Sequence, residues 1–208
     1  ILKYAPQFQV TVFGDETHVN YNRIMLSSVL AGEKAGDEIT LHPFEWYRNN
    51  EIDLRLGVRI VDVDAAAKTV TGDDGSVTPY DTLLLATGAR VRRLALPGSE
   101  SAPIYYLRSL EDSLAIRARL IPGAQIVLIG GGFIGLEVAA AARMLGASVT
   151  VLEAQPHLLA RVGAPQFCAA VAALHRRNGV EIRTGVTIEG FAPDGTIRLK
   201  SGEALRAD

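Results

Sequence analysis

Gly130, Gly132 and Gly135 stand at GxGxxG spacing, directly after the apolar run Gln125–Ile129 and at the head of an alanine-rich stretch. That pattern suits a pyrophosphate. The first glycine permits a tight turn, the second lets the backbone approach a phosphate, and the third lets the next helix pack close to the strand. The helix N-terminus adds free N–H groups and a partial positive charge. Phe133 and Ile134 lie inside the motif and count with it as candidate NAD contacts. Glu153 follows Gly130 by 153 − 130 = 23 residues, at the tip of the next apolar run. An acid at about this interval accepts hydrogen bonds from a ribose and repels a 2′-phosphate. The next residues, Ala154, Gln155 and Pro156, include no arginine, so NAD is favoured over NADP.

A second acid-tipped run, QVTVFGDE at Gln9 to Glu16, reads as the second strand of another such unit, yet only eight residues precede it. Eight residues are too few for the strand and glycine loop that come first in such a unit.

Other chemistries lack their residues. Cys168 is the single cysteine, which excludes an internal disulfide or a CxxC pair, and it is expected on the buried side of a helix. The four histidines show no ligand spacing with one another or with Cys168, so no metal site is expected. No Ser/His/Asp or Cys/His arrangement presents itself. A net charge of −2 without a basic run gives no reason to expect nucleic acid or an anionic membrane. The longest apolar stretch, Ile126 to Val138, is broken by glycines and holds Glu137, so it is too short and polar to span a bilayer. No signal peptide is recognisable and the first residue is Ile1 rather than Met, so the chain is expected to have been cut or processed upstream. The composition is compatible with a cytoplasmic protein.

The elements that must position these residues follow from periodicity. In the first half, strands are expected at Gln9 to Phe13, Val58 to Val63 and Thr69 to Thr71, with another near Ser76 after the turn GDDG. Residues Ile1 to Lys3 read as the tail of a helix and Asn22 to Ala31 as a short helical segment. The run TLLLA at Thr82 to Ala86 reads as a strand buried on both faces. Pro97, Gly98, Ser99, Ser101 and Pro103 mark a domain junction, giving expected domains of 1–101 and 102–208. In the second half, helices are expected at Ser109 to Leu120, Phe133 to Leu145 and Pro165 to Arg177. Strands are expected at Gln125 to Ile129, Ser148 to Leu152 and Val180 to Thr184, followed by β-rich stretches at Thr187 to Phe191 and Thr196 to Lys200.

With NYNRIMLSSVLAGE at Asn20 to Glu33, YLRSLEDSLAIRARL at Tyr106 to Leu120, VLIGGGFIGLEVAAAAR at Val127 to Arg143 and HLLARV at His157 to Val162, nearly the whole chain resembles one superfamily. This is the FAD-dependent pyridine nucleotide-disulfide oxidoreductases, in the branch of ferredoxin and rubredoxin reductases and the large subunit of NAD(P)H nitrite reductase. The resemblance implies an α/β fold of two Rossmann-like three-layer domains, both incomplete. Residues 1–101 would form an FAD domain lacking its first strand, and 102–208 an NAD domain lacking its last strands. LRAD at Leu205 to Asp208 resembles the start of a strand that completes the latter.

The resemblance also implies roles. Asp15 or Glu16 would hold the FAD ribose, one of the two sufficing. Arg23, Ile60, Thr87, Gly88 and Arg108 would lie beside FAD, and Glu137 would face the nicotinamide as the catalytic-side residue. Arg161 would close over the NAD adenosine. Ser28 stands where ferredoxin reductases have lysine and the peroxidase branch a redox cysteine, which argues against disulfide or peroxide chemistry. The function implied is electron transfer from NADH through FAD to a ferredoxin, a rubredoxin or a nitrite reductase centre. The alternatives are an NAD-binding fragment without redox activity, dimerised or strand-swapped to cover its edges, and an interaction partner resembling apoptosis-inducing factor.

Overall fold

Val10, Val12 and the glycine that ends their run place β1 at Val10–Gly14. The computed structural model describes residues 3, 4 and 6–208, so the helical tail expected at Ile1 to Lys3 lies largely outside the described residues. After β1 the chain enters helix α1 (Leu26–Ala31), preceded by a 3-10 turn at Arg23–Met25, and continues to α2 (Phe44–Asn49) and β2 (Ile52–Leu56). β2 pairs parallel with β1 from Val10↔Ile52 to Gly14↔Leu56. The alternation of Ile52, Leu54 and Leu56 carries this strand, which the sequence reading passes over. An antiparallel meander follows: β3 (Ile60–Asp64), β4 (Thr69–Gly72) and β5 (Val77–Pro79). Side chains build its turns. Asp64 Oδ1 accepts from the Ala66 and Ala67 N–H groups, and Asp74 Oδ1 accepts from the Ser76 N–H with Gly75 at φ 81°.

The strand expected at Thr82 to Ala86 does not form: 83–95 carry no regular element, and Leu84 and Leu85 are 79% and 69% exposed. A parallel strand exists through its ladder, and among the described residues no strand pairs with this run. Apolar content alone therefore leaves it irregular.

The second half follows its expected rhythm closely. Helix α3 (Leu110–Arg117) starts at a capping box, in which the Asp112 N–H donates to Ser109 Oγ and the Asp112 carboxylate accepts from the Ser109 N–H. Its buried face carries Leu110 and the fully buried Ser113, whereas Leu114 is half exposed. Next come β6 (Gln125–Ile129), α4 (Phe133–Met144), β7 (Ser148–Glu153), α5 (Pro165–Arg177) and β8 (Val180–Thr184). The three strands form a parallel sheet in the order β6-β7-β8. A meander of β9 (Ile188–Phe191), β10 (Ile197–Leu199) and β11 (Ala204–Leu205) completes the chain.

Packing sorts these elements into two compact units, one holding the chain up to Asn22 and Asp37–Ala89, the other holding Arg23–Gly36 and Arg90–Asp208. Helix α1 thus belongs by contact with the second half. Ser113 Oγ donates to the Leu26 carbonyl at 2.9 Å and Arg117 donates to the Val29 carbonyl at 2.9 Å, fixing α1 on α3. The main core lies in this unit. Ala139 and Ala142 of α4, both fully buried, pack with Val149 and Val151 of β7 and with Cys168 of α5, and small residues there allow the helix to approach the sheet. Cys168 is 2% exposed, as its helical position predicts.

Candidate functional site

The glycine loop joins β6 to α4, and each of its glycines has its own structural reason. Gly130 has φ +104°, a backbone region closed to most side chains. At Gly135 a Cβ would lie 2.2 Å from the Gly130 carbonyl oxygen, so only glycine lets the helix sit this close to the turn. A Cβ at Gly132, the N-cap of α4, would meet nothing within 4 Å. The space beside it is therefore open for a ligand to approach the backbone. With the N-terminus of a twelve-residue helix behind it, the loop fits a dinucleotide pyrophosphate.

Glu153 ends β7 beside this loop. Its Oε2 accepts the Gly131 N–H at 2.7 Å and its Oε1 accepts the Gln155 N–H at 2.7 Å. Each carboxylate oxygen keeps a lone pair for a further donor, which a pair of ribose hydroxyls can supply. Phe133 and Ile134, each 58% exposed, and Gly130 and Gly132 border an apolar cavity of about 720 Å³ that also touches Leu107 and Val127. Glu137, one turn into α4, is exposed, and so is Arg161 in the loop before α5.

The residues expected around FAD divide between the two units. In the first, Asp15 pairs with Arg59 at 2.8 Å at the end of β1, and Glu16 accepts a hydrogen bond from the Tyr21 hydroxyl. Ile60 opens β3, while Thr87 and Gly88 lie exposed in the irregular run, Gly88 with φ +67°. In the second unit Arg23 donates to the Arg108 carbonyl at 2.9 Å, which brings those two residues together, and Asp112 accepts the Arg108 N–H. Sequence reasoning missed Arg59, whose partner is remote in sequence, and the contact of Leu158 and Leu159 with the glycine loop. The positive φ of Leu159 left no signal in composition. Among the described residues no group of three or more His, Cys, Asp or Glu is placed to hold a metal, and no helix is long and apolar enough to cross a membrane.

A parallel β-α-β unit whose glycine loop is closed by an acid on the second strand defines a dinucleotide-binding α/β protein. Residues 2–208 match the family described as pyridine nucleotide-disulphide oxidoreductase, and the chain belongs to that family. It is 38% identical over 200 residues to the ferredoxin-NAD(+) reductase component of the p-cumate 2,3-dioxygenase system of Pseudomonas putida, covering 96% of this chain and 50% of the relative. It is 38% identical over 211 residues to the rubredoxin-NAD(+) reductase of Ectopseudomonas oleovorans, covering 99% and 55%. A solved ferredoxin reductase from Rhodopseudomonas palustris superposes with a TM-score of 0.93 at 32% identity, covering 100% of this chain and 52% of that one. The chain spans about half the length of the relatives it matches.

Proposed function

We propose that the protein containing this chain is an NADH-dependent flavoprotein reductase that delivers electrons to an iron-sulfur protein of the ferredoxin or rubredoxin type. The observation that carries the reading is the Glu153 carboxylate bonded to the Gly131 N–H beside an open Gly132. The reductases named above, from Pseudomonas putida and Ectopseudomonas oleovorans, support the direction of electron flow. When bound, NADH would supply a hydride and FAD would accept it and release electrons one at a time.

The chain's own residues bind and orient. The backbone of Gly130 to Gly135 and the start of α4 would receive the NAD pyrophosphate, with Phe133 and Ile134 bounding the apolar side. Glu153 would hold the ribose and disfavour a 2′-phosphate. Arg161 would close over the adenosine, and Glu137 would face the nicotinamide from the exposed side of α4. For FAD, Asp15 or Glu16 would hold the ribose, with Ile60, Thr87 and Gly88 along the dinucleotide and the neighbouring Arg23 and Arg108 on its anionic part. Residues 1–101, joined by Arg108, would thus serve FAD, and the rest of 102–208 NAD. This is a division by cofactor, whereas packing groups Arg23–Gly36 with the second unit. A cytoplasmic place accords with a chain that has one buried, unpaired cysteine.

The test is steady-state oxidation of NADH and NADPH by the full-length protein with ferredoxin, rubredoxin or nitrite as acceptor, after flavin content is measured from absorbance. Flavin-bound protein that reduces an iron-sulfur acceptor with NADH preferred supports the reading. Protein that binds NADH yet reduces no acceptor would favour an interaction role.

A further inference from the structure

We propose that Leu158 and Leu159 are positioning residues, which lock the Arg161 loop to Gly131 and so hold Arg161 for the adenosine end of NADH; this rests on the NADH reading above. The two loops are joined at a single glycine. The Leu159 N–H donates to the Gly131 carbonyl at 2.9 Å, while the Gly131 N–H donates to Glu153 Oε2 at 2.7 Å. One peptide neighbourhood therefore fixes both the acid meant for the ribose and the root of the arginine loop. Leu158, 1% exposed, fills most of the space a side chain at 131 would take: a Cβ there would lie 2.3 Å from Leu158 Cδ2, with Glu153 Oε2 next at 3.3 Å.

Beyond this contact the chain closes a tight turn. The Leu159 carbonyl accepts the Val162 N–H at 2.9 Å and the Gly163 N–H at 3.0 Å, leaving Arg161 exposed within the turn. Leu159 itself has φ +54°, a conformation leucine keeps only where its surroundings impose it. Burial of its side chain, at 5% exposure in the core beside Leu158, supplies that imposition. A fixed root reduces what the flexible arginine must lose on ordering over a ligand. The phosphate loop and the arginine loop consequently act as one surface, and a disturbance at Gly131 is felt at Arg161 without direct contact.

The experiment is equilibrium binding of NADH and of reduced nicotinamide mononucleotide, which lacks the adenosine, to the intact protein and its variants. Gly131→Ala is expected to weaken NADH roughly tenfold and the mononucleotide, whose phosphate meets the same loop, by less than about threefold, and Arg161→Ala to weaken NADH roughly tenfold in the native background, to leave the mononucleotide within about twofold, and to weaken NADH less than about twofold in Gly131→Ala. Because the alanine acts by displacing Leu158, Gly131→Ala/Leu158→Ala is expected to recover NADH binding to within about threefold of native. Multiplicative effects of Gly131→Ala and Arg161→Ala, or no recovery in the double variant, would overturn the proposal. A native protein that fails to bind NADH at all would remove the NADH reading first, and the positioning role with it.

Discussion

The carboxylate of Glu153 and the backbone N–H of Gly131 are joined at 2.7 Å, so the acid at the end of one strand is tied to the turn that ends its neighbour. The bond orients the carboxylate before any ligand arrives. It also gives the first half of the glycine loop a charged acceptor, and hydrogen bonds to charged groups contribute more than neutral ones.

Replacing that acid removes both an orienting bond and the repulsion of a 2′-phosphate. Glu153→Ala in the full-length protein is expected to lower kcat/KM for NADH by about tenfold to a hundredfold, in line with the loss of one or two charged hydrogen bonds. NADPH should lose much less, and the ratio of the two kcat/KM values is the measurement. An unchanged ratio would separate Glu153 from cofactor choice.

Two glycines of the loop should fail in opposite ways. At Gly135 an added Cβ meets the Gly130 carbonyl oxygen at 2.2 Å, backbone against backbone, so Gly135→Ala is expected to cost about 1–3 kcal/mol of stability. At Gly132 the added Cβ meets no protein atom, so Gly132→Ala should cost no more than about 1 kcal/mol while abolishing NADH binding. Denaturant unfolding and NADH titration of the two variants distinguish these outcomes.

Helix α1 depends on a donor from another helix. Ser113 is fully buried and its hydroxyl donates to the Leu26 carbonyl at 2.9 Å. Ser113→Ala is expected to destabilise the protein by about 1 kcal/mol, since the carbonyl keeps its place in the helix and only one neutral bond is lost. Urea midpoints at constant slope would measure this, and a shift of several kcal/mol would mean that the hydroxyl does more than the single bond shown.

Acid should weaken the fold through His175. Burial lowers its pKa below the ordinary 6.5, so the folded state takes up a proton less readily than the unfolded chain. The corresponding stability is fully present above the unfolded value and is lost as pH falls from there through the lower folded value. In His175→Gln this part of the acid dependence is expected to disappear, and unfolding free energies measured between about pH 8 and about pH 5 should then run flatter than in the native protein. Parallel curves would sink the assignment.

Legibility in the sequence followed locality. The unit from Gln125 to Glu153 was readable because strand, turn, helix and acid are each written in adjacent residues, and Pro165–Arg177 matched its expected bounds because Pro at the start and Asn178 and Gly179 at the end punctuate it. Thr82 to Ala86 carried an equally strong apolar signal and is not a strand, since strand formation needs a neighbour that composition does not specify. The acid-tipped run at Gln9 to Glu16 was recognisable, but the pairing of Asp15 with Arg59 and of Glu16 with Tyr21 was not. By itself the sequence determined the glycine loop, its acid and the alternation of elements, all set by spacing over a few turns of chain. Only the tertiary structure decided that α1 is held by Ser113 and Arg117 and that Leu158 and Leu159 close on Gly131, because such contacts join residues whose separation no local periodicity records.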